Sequence, residues 1–101
     1  MKVSARNVFS GTVSAITPGS VNAEVLLSLP GGDQLVAIVT LASVTTLGLA
    51  VGQPAIALVK APWVILLTDA GYVRFSARNQ LTGTVSALQP GAVNTEVALT
   101  L

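Results

Sequence analysis

The sequence predicts an all-β fold, a small antiparallel barrel with one short helix between its third and fourth strands, followed by the opening strands of a second copy. Three observations lead to this prediction. Apolar and polar residues alternate with a period of two over several short segments, which is typical of strands with one buried face. One segment instead repeats its apolar residues every three positions, which indicates a short helix. Finally, a pattern near the start of the chain occurs again near its end.

The internal repeat predicts the domain organisation. The tetrapeptide SARN occupies residues 4–7 and again residues 76–79, so the period is 72. We therefore expect a complete module over residues 1–70 and a partial second module over residues 71–101, with its first two strands only. Two explanations of the incomplete copy stay open. The chain is truncated, or the partial module docks its strands onto a neighbour.

The first three strands follow from the alternation and its interruptions. The first strand is predicted to bury one face and expose the other, and its buried positions are Phe9, Gly11, Val13 and Ala15. A turn at residues 17–20 leads to a second strand, whose buried positions are Ala23, Val25, Leu27 and Leu29. A turn at residues 30–33 closes this hairpin. The next segment, Gln34 to Thr40, is apolar on both faces, which predicts a strand covered on both sides.

The helix and the fourth strand complete the predicted barrel. Thr40 suits an N-cap, and Gly48 suits the end of a helix. Three apolar residues lie on one face of that helix: Leu41, Val44 and Leu47. Residues 54–60 alternate again, and residues 63–67 read as extended chain after an interruption at Ala61-Pro62. This element order is that of an OB-like barrel, a fold that supports many functions.

The composition indicates a protein that assembles with itself. Hydrophobic residues make up 51% of the chain, charged residues make up 9%, and the mean hydropathy is +0.76. A unit of this size buries only about 60% of the surface of its unfolded chain. Because the chain has no cysteine, no disulfide compensates for the small core. We expect the excess apolar surface to be covered between subunits.

Charge and residue usage argue against several classes of function. A net charge of +1, without a basic stripe, predicts no binding to nucleic acid. The absence of His and Cys argues against a transition-metal site. The amino-terminal residues lack the apolar core of a secretory signal, so a cytoplasmic protein is expected. The stretch between Asp33 and Lys60 is uncharged and long enough to span a bilayer, but its hydroxyl residues, Pro54 and its strand context argue against a membrane protein.

Three short pieces of the first module offer hydrogen-bond donors without acceptors. They are Ser4 with Arg6, Thr40 with Ser43, and Lys60 with the following Ala61 amide. Hydroxyls and free N–H groups at the start of a helix favour an anion, and nearby cations strengthen that preference. Each piece also has a purely structural interpretation, as a cap, a solvated helix face or a charge at a strand end. No catalytic base, activated nucleophile or metal ligand set is present, so we expect no enzyme.

A family resemblance favours the anion site. The segments SARN at 4–7, GSVNAEV at 19–25, VTLASV at 39–44 and ALVKA at 57–61 occur in the order found in the molbindin or Mop family, a TOBE-like module. The repeated start resembles the tandem di-Mop type, here with an incomplete second module. The resemblance implies intracellular binding, storage or buffering of molybdate or tungstate, with no catalytic cofactor. It implies sites shared between modules of a homotrimer or hexamer. The alternative is a molybdate-sensing or oligomerisation module derived from a transcription regulator or transporter ATPase.

The resemblance also implies which residues bind the ion. One module contributes Ser4, Arg6, Lys60 and Ala61, and a neighbouring module contributes Thr40 and Ser43. The second copy repeats part of the first wall as Ser76 and Arg78, a half-site that another chain must complete or that stays empty. A second class of site, around a threefold axis, is implied near Gly19, Ser20, Val21 and Asn22. A site made only of donors suits a fully deprotonated oxyanion, whereas protonated phosphate would leave its O–H without an acceptor.

Overall fold

Residues 7–66 and 79–101 are described by the structure, a computed structural model, and they form two antiparallel sheets. The first sheet has four strands in the spatial order β3-β2-β1-β4, and a short helix follows its third strand. The strands are β1 Asn7–Pro18, β2 Asn22–Ser28, β3 Gln34–Thr40 and β4 Pro54–Val59. The helix α1 is Leu41–Leu47, and a single 3-10 turn, Ala61–Trp63, follows β4. The second sheet pairs β5 Thr84–Pro90 with β6 Thr95–Thr100.

The core of the first sheet lies on the face predicted from the alternation. Its buried cluster consists of Val13, Val25, Leu27, Leu29 and Leu35. Ala23 is also buried, and the intervening residues of β2 are more exposed. In β1 the alternation holds as far as Val13, where a β-bulge shifts the pairing before Ala15. Because a bulge adds one residue to a strand, Ala15 and Ile16 are both half-buried.

The third strand departs from its prediction. β3 was expected to be covered on both faces, yet only Leu35 of this strand is buried and Ile38 is 62% exposed. The reason is its position, because β3 is an end strand of the four-stranded sheet and no second layer lies on its outer face within the described residues. The expectation is therefore wrong for the isolated chain.

The helix has the predicted boundaries. Thr40 is the N-cap, with φ −71° and ψ 153°, and Gly48 ends the helix at φ 65°. A left-handed residue at this position favours glycine, because a Cβ would meet the adjacent carbonyl group. The apolar face is less buried than predicted, since Leu41 and Val44 are half-buried but Leu47 is 67% exposed. Residues 64–66 form no strand, and Leu67 lies outside the described residues.

The two copies of the repeat share one hairpin geometry. In the first copy Val13 pairs with Leu27, and in the second Val85 pairs with Leu99, 72 residues later in each case. Both hairpins carry a bulge at the same place. The turn bond from the Gly19 N–H to the Asn22 carbonyl, 2.7 Å, recurs at the same length in the second copy. The repeat seen in the sequence is thus a repeat of backbone structure.

The predicted fold class is confirmed: the protein is mainly β, with a curled antiparallel sheet, one short helix after its third strand and the opening strands of a second copy. Within residues 7–66 and 79–101, no helix is long and apolar enough to cross a bilayer.

Candidate functional site

The start of α1 presents two hydroxyl groups that contact each other. The Thr40 Oγ1 accepts a hydrogen bond from the Ser43 N–H at 3.0 Å and donates one to the Ser43 Oγ at 2.8 Å. Thr40 is exposed and Ser43 is half-buried. Thr40 therefore caps the helix, whereas no acceptor for the Ser43 hydroxyl proton is seen in the part of the chain that the structure describes. The hydroxyl of Ser43 is the free donor of the pair.

The backbone N–H groups of the first helical turn are less available than the sequence suggested. The Leu41 N–H donates to the Val21 carbonyl at 3.0 Å, and the Ser43 N–H is taken by Thr40. Two of the donors that were expected to face an anion are therefore occupied, because the chain satisfies helix ends internally where it can.

The loop at residues 19–22 lies beside the helix mouth, defined here as Thr40, Leu41 and Ser43. Asn22 is paired with Thr40 in the β2–β3 register, and the Val21 carbonyl receives the Leu41 N–H. Gly19 and Ser20 are exposed in the same turn. The two predicted groups, helix mouth and loop, are therefore adjacent at the end of the sheet, although Val21 between them is 69% exposed and apolar.

Lys60 and Ala61 lie at the far end of β4, beside the second copy. They line a cleft of about 640 Å³ together with Gly91 and Asn94. The Lys60 Nζ lies 5.8 Å from the centroid of the Trp63 ring, which is a cation–π arrangement. Trp63 is 72% exposed. Among the described residues the Ala61 N–H has no hydrogen-bond acceptor, since the 3-10 turn begins there and its own bonds use later N–H groups.

The structure brings the predicted site residues together in two groups. One group is the helix mouth with the 19–22 loop, and the other is Lys60 with Ala61. In the described parts of the chain, no hydrogen bond joins one group to the other. The remaining predicted residues lie outside the described residues: Ser4, Arg6, Ser76 and Arg78.

Sequence reasoning missed the second-copy turn as a neighbour of Lys60. Gly91 and Asn94 stand 72 residues after Gly19 and Asn22, so the period identified them as equivalents of the loop beside the helix mouth. Only their proximity to Lys60 was absent from the sequence, because it depends on how the second hairpin packs against the first module.

Known proteins match this chain in both sequence and structure. The TOBE domain family matches residues 3–66. The chain belongs to the TOBE-domain family. A probable molybdenum-pterin-binding protein from Haemophilus influenzae is 47% identical over 66 residues, and the match covers 65% of this chain and 96% of that protein. This TOBE chain is therefore of the Mop type, as the resemblance predicted.

Longer relatives extend the match to the whole chain. A crystal structure of the cytoplasmic molybdate-binding protein ModG with molybdate bound is 60% identical, with a TM-score of 0.94, and covers 100% of this chain and 72% of its own. The molybdenum transport protein ModE of Herbaspirillum seropedicae is 46% identical over 101 residues. The TOBE chain spans 38% of the length of that relative.

Proposed function

We propose that this TOBE chain binds and stores molybdate, or its analogue tungstate, as the free oxyanion, in sites shared between modules of a homo-oligomer. The observation that carries the proposal is the 60% identity, along the whole chain, to the molybdate-bound protein ModG. A binding role needs neither a base nor a nucleophile, and the composition supplies neither. We assign it to the cytoplasm, because ModG is a cytoplasmic molybdate-binding protein.

The helix mouth supplies neutral donors to the ion. The Ser43 hydroxyl proton has no acceptor in the described residues, and Thr40 can turn its own hydroxyl proton from Ser43 to a ligand without losing its role as cap acceptor. Hydrogen bonds from neutral groups to an anion are stronger than those between neutral partners. These two hydroxyls are thus one wall of the proposed site.

Lys60 and the Ala61 N–H form the other wall. Lys60 is exposed, its ammonium group lies 5.8 Å from the centroid of the Trp63 ring, and Glu96 lines the same cleft. Because the side chain is exposed and flexible, we propose that its ammonium group turns to the dianion. We propose that Ser4 and Arg6, which precede β1 in sequence, complete this wall, and that Ser76 and Arg78 do so in the second copy.

Repeat equivalence supports a site that is shared between modules. Lys60 faces a turn, Gly91 to Asn94, whose first-copy equivalent lies directly beside a helix mouth. In a complete module this turn lies beside the helix mouth of the same module, so a complete module that placed its turn against Lys60 would also bring its helix mouth near Lys60. Residues 7–66 and 79–101 contain one helix mouth, so we propose that a neighbouring chain provides the module that completes the site. The loop at residues 19–22 then borders the same interface, as expected of a second class of site.

The modules and the assembly follow from the same proposal. We propose that residues 1–70 are a complete module and residues 71–101 a partial second one, and that three or six chains associate. Several large apolar side chains support this assembly because they are exposed in the single chain: Ile38, Ile56, Ile65 and Val93. Apolar surface of this kind is typical of an interface.

Calorimetric titration with sodium molybdate tests the proposal. We expect saturable binding of molybdate and tungstate by the folded chain, and weaker binding of phosphate at equal concentration, because the ammonium and N–H groups of the site offer no acceptor to the O–H of protonated phosphate. A folded, oligomeric chain that gives no saturable heat with molybdate or tungstate would refute the function.

A second candidate is a sensing module. The full-length match to part of ModE favours it. Sedimentation with and without molybdate separates the two roles. A storage protein keeps one assembly at all molybdate concentrations, whereas a sensing module changes its assembly when the ion binds, because a ligand reports its presence only by favouring one of two states.

A further inference from the structure

The side chain of Asn79 occupies the open edge of β3. Its Oδ1 accepts a hydrogen bond from the Val36 N–H at 2.6 Å, and its Nδ2 donates one to the Val36 carbonyl at 2.8 Å. A carboxamide carries the same donor and acceptor as a peptide group. Asn79 therefore binds Val36 as a residue of a fifth strand would, although it belongs to no strand.

The contact between Asn79 and Val36 lies at the open edge of the sheet. β3 ends the sheet, so every second residue of the strand offers an N–H and a carbonyl to solvent. Val36 is one of these residues, and Leu35 beside it belongs to the buried core. Two residues after Asn79, Leu81 packs against the same core cluster. Asn79 and Leu81 thus attach this part of the second copy to the first module through a polar and an apolar contact.

We propose that Asn79 is a positioning residue, which docks the second copy onto β3 and so sets the place of the second hairpin beside Lys60. The hairpin that follows it lines the cleft with Lys60 through five residues: Gln89, Gly91, Asn94, Thr95 and Glu96. The packing of Leu81 is apolar and non-directional, so it fixes the position of the segment along β3 less closely than the two hydrogen bonds of Asn79 do. The link to the anion site rests on the function proposed above; the docking does not.

Amide hydrogen exchange of Val36, measured by NMR on the full chain, tests the docking directly. Asn79→Ala removes both hydrogen bonds, so the Val36 N–H should exchange on the order of tenfold faster. Thr82→Ala is the matched control, because Thr82 is exposed in the same segment and has no side-chain hydrogen bond in the described residues. Exchange of the Leu27 N–H in the core reports whether each variant is folded.

Asn79→Asp adds a readout that a general loss of structure would not produce. A neutral carboxyl group can accept from the Val36 N–H and donate to its carbonyl, whereas a carboxylate can only accept. Val36 should therefore be protected at a pH below the ordinary Asp pKa of about 3.9 and lose protection above it. β3 itself contains no ionisable residue, but Asp33 directly precedes it and Glu24 of the adjacent β2 pairs with Ile38. The wild-type chain, which has both carboxyl groups together with Asn79, is therefore the control, and only a pH dependence that wild type lacks belongs to the introduced Asp.

The outcomes separate the docking from the function. Faster Val36 exchange in Asn79→Ala, with acid rescue in Asn79→Asp, supports the docking; unchanged exchange, or no rescue, overturns it. Molybdate affinity should fall about tenfold in Asn79→Ala and stay constant in Thr82→Ala if the docked hairpin positions the site. An unchanged affinity beside a faster Val36 exchange overturns the positioning role alone. A wild-type chain that binds no molybdate refutes the proposed function and leaves the docking result intact.

Discussion

The substitution Ser43→Ala distinguishes an anion site from a simple helix cap. The cap bond runs from the Ser43 N–H to the Thr40 Oγ1, and it survives because alanine keeps the N–H. The only described hydrogen bond that is lost is the one from the Thr40 hydroxyl to the Ser43 Oγ, at 2.8 Å. Thr40 is exposed, so water can replace that acceptor. We expect the free energy of unfolding to fall by at most about 1 kcal/mol.

The expected effect on binding is larger. A hydrogen bond to a charged group contributes about 1.5 to 3 kcal/mol, so its loss should weaken molybdate binding roughly 10- to 150-fold. Calorimetry measures the affinity, and urea denaturation of the ligand-free chain measures the stability. Ser14→Ala is the control, since the Ser14 Oγ donates to the Leu26 carbonyl at 3.3 Å on the β1–β2 hairpin. We expect it to leave the affinity unchanged.

Two results would refute this reasoning. If Ser43→Ala binds molybdate as tightly as the parent chain, the helix mouth is only a cap. If instead affinity and stability fall in proportion in both Ser43→Ala and Ser14→Ala, the loss of binding reflects general destabilisation and not a missing ligand.

Four further predictions use other parts of the chain. Binding of molybdate should change the fluorescence of Trp63 in a saturable way, because the ion draws the Lys60 ammonium group from the indole ring 5.8 Å away. The substitution Lys60→Ala should weaken molybdate binding far more than Lys2→Ala. Equal losses of affinity would mean that Lys60 is only a surface charge and not part of the site. Gly11→Ala should lower the free energy of unfolding, measured by urea denaturation, by about 2 kcal/mol. The new Cβ would overlap the Ser28 carbonyl oxygen, which is a backbone atom and cannot rotate away as a side chain could. A loss of less than roughly 0.5 kcal/mol would mean that the hairpin backbone adjusts easily to the extra methyl group. Sedimentation should give a trimer or larger assembly, and a stable monomer would contradict the proposed interface.

Local patterns predicted much of the first module. The ends of α1 were predicted at Thr40 and Gly48, because a cap and a left-handed residue depend on neighbours in sequence. The buried residues of β2 followed from strict alternation. The bulge in β1 was not predicted, since the shift after Val13 depends on the pairing of two strands rather than on either one.

The sequence predicted individual residues of the candidate site but not how the backbone around them is hydrogen-bonded. Hydroxyl spacing and family resemblance singled out Thr40 and Ser43, and the structure places them in contact. That the Leu41 N–H is occupied could not be predicted, because its acceptor, the Val21 carbonyl, is brought there by the β2–β3 pairing.

The sequence by itself determined the period of 72, the strand alternation, the helix and its caps, and the absence of His and Cys. These properties depend only on composition or on residues that are close together in sequence, so they can be predicted without knowing the tertiary structure. Only the tertiary structure decided that β3 ends the sheet, that Asn79 binds the Val36 backbone, and that the second hairpin faces Lys60. Those contacts join residues 30 or more positions apart, and such contacts are set by the packing of whole sheets rather than by any local pattern.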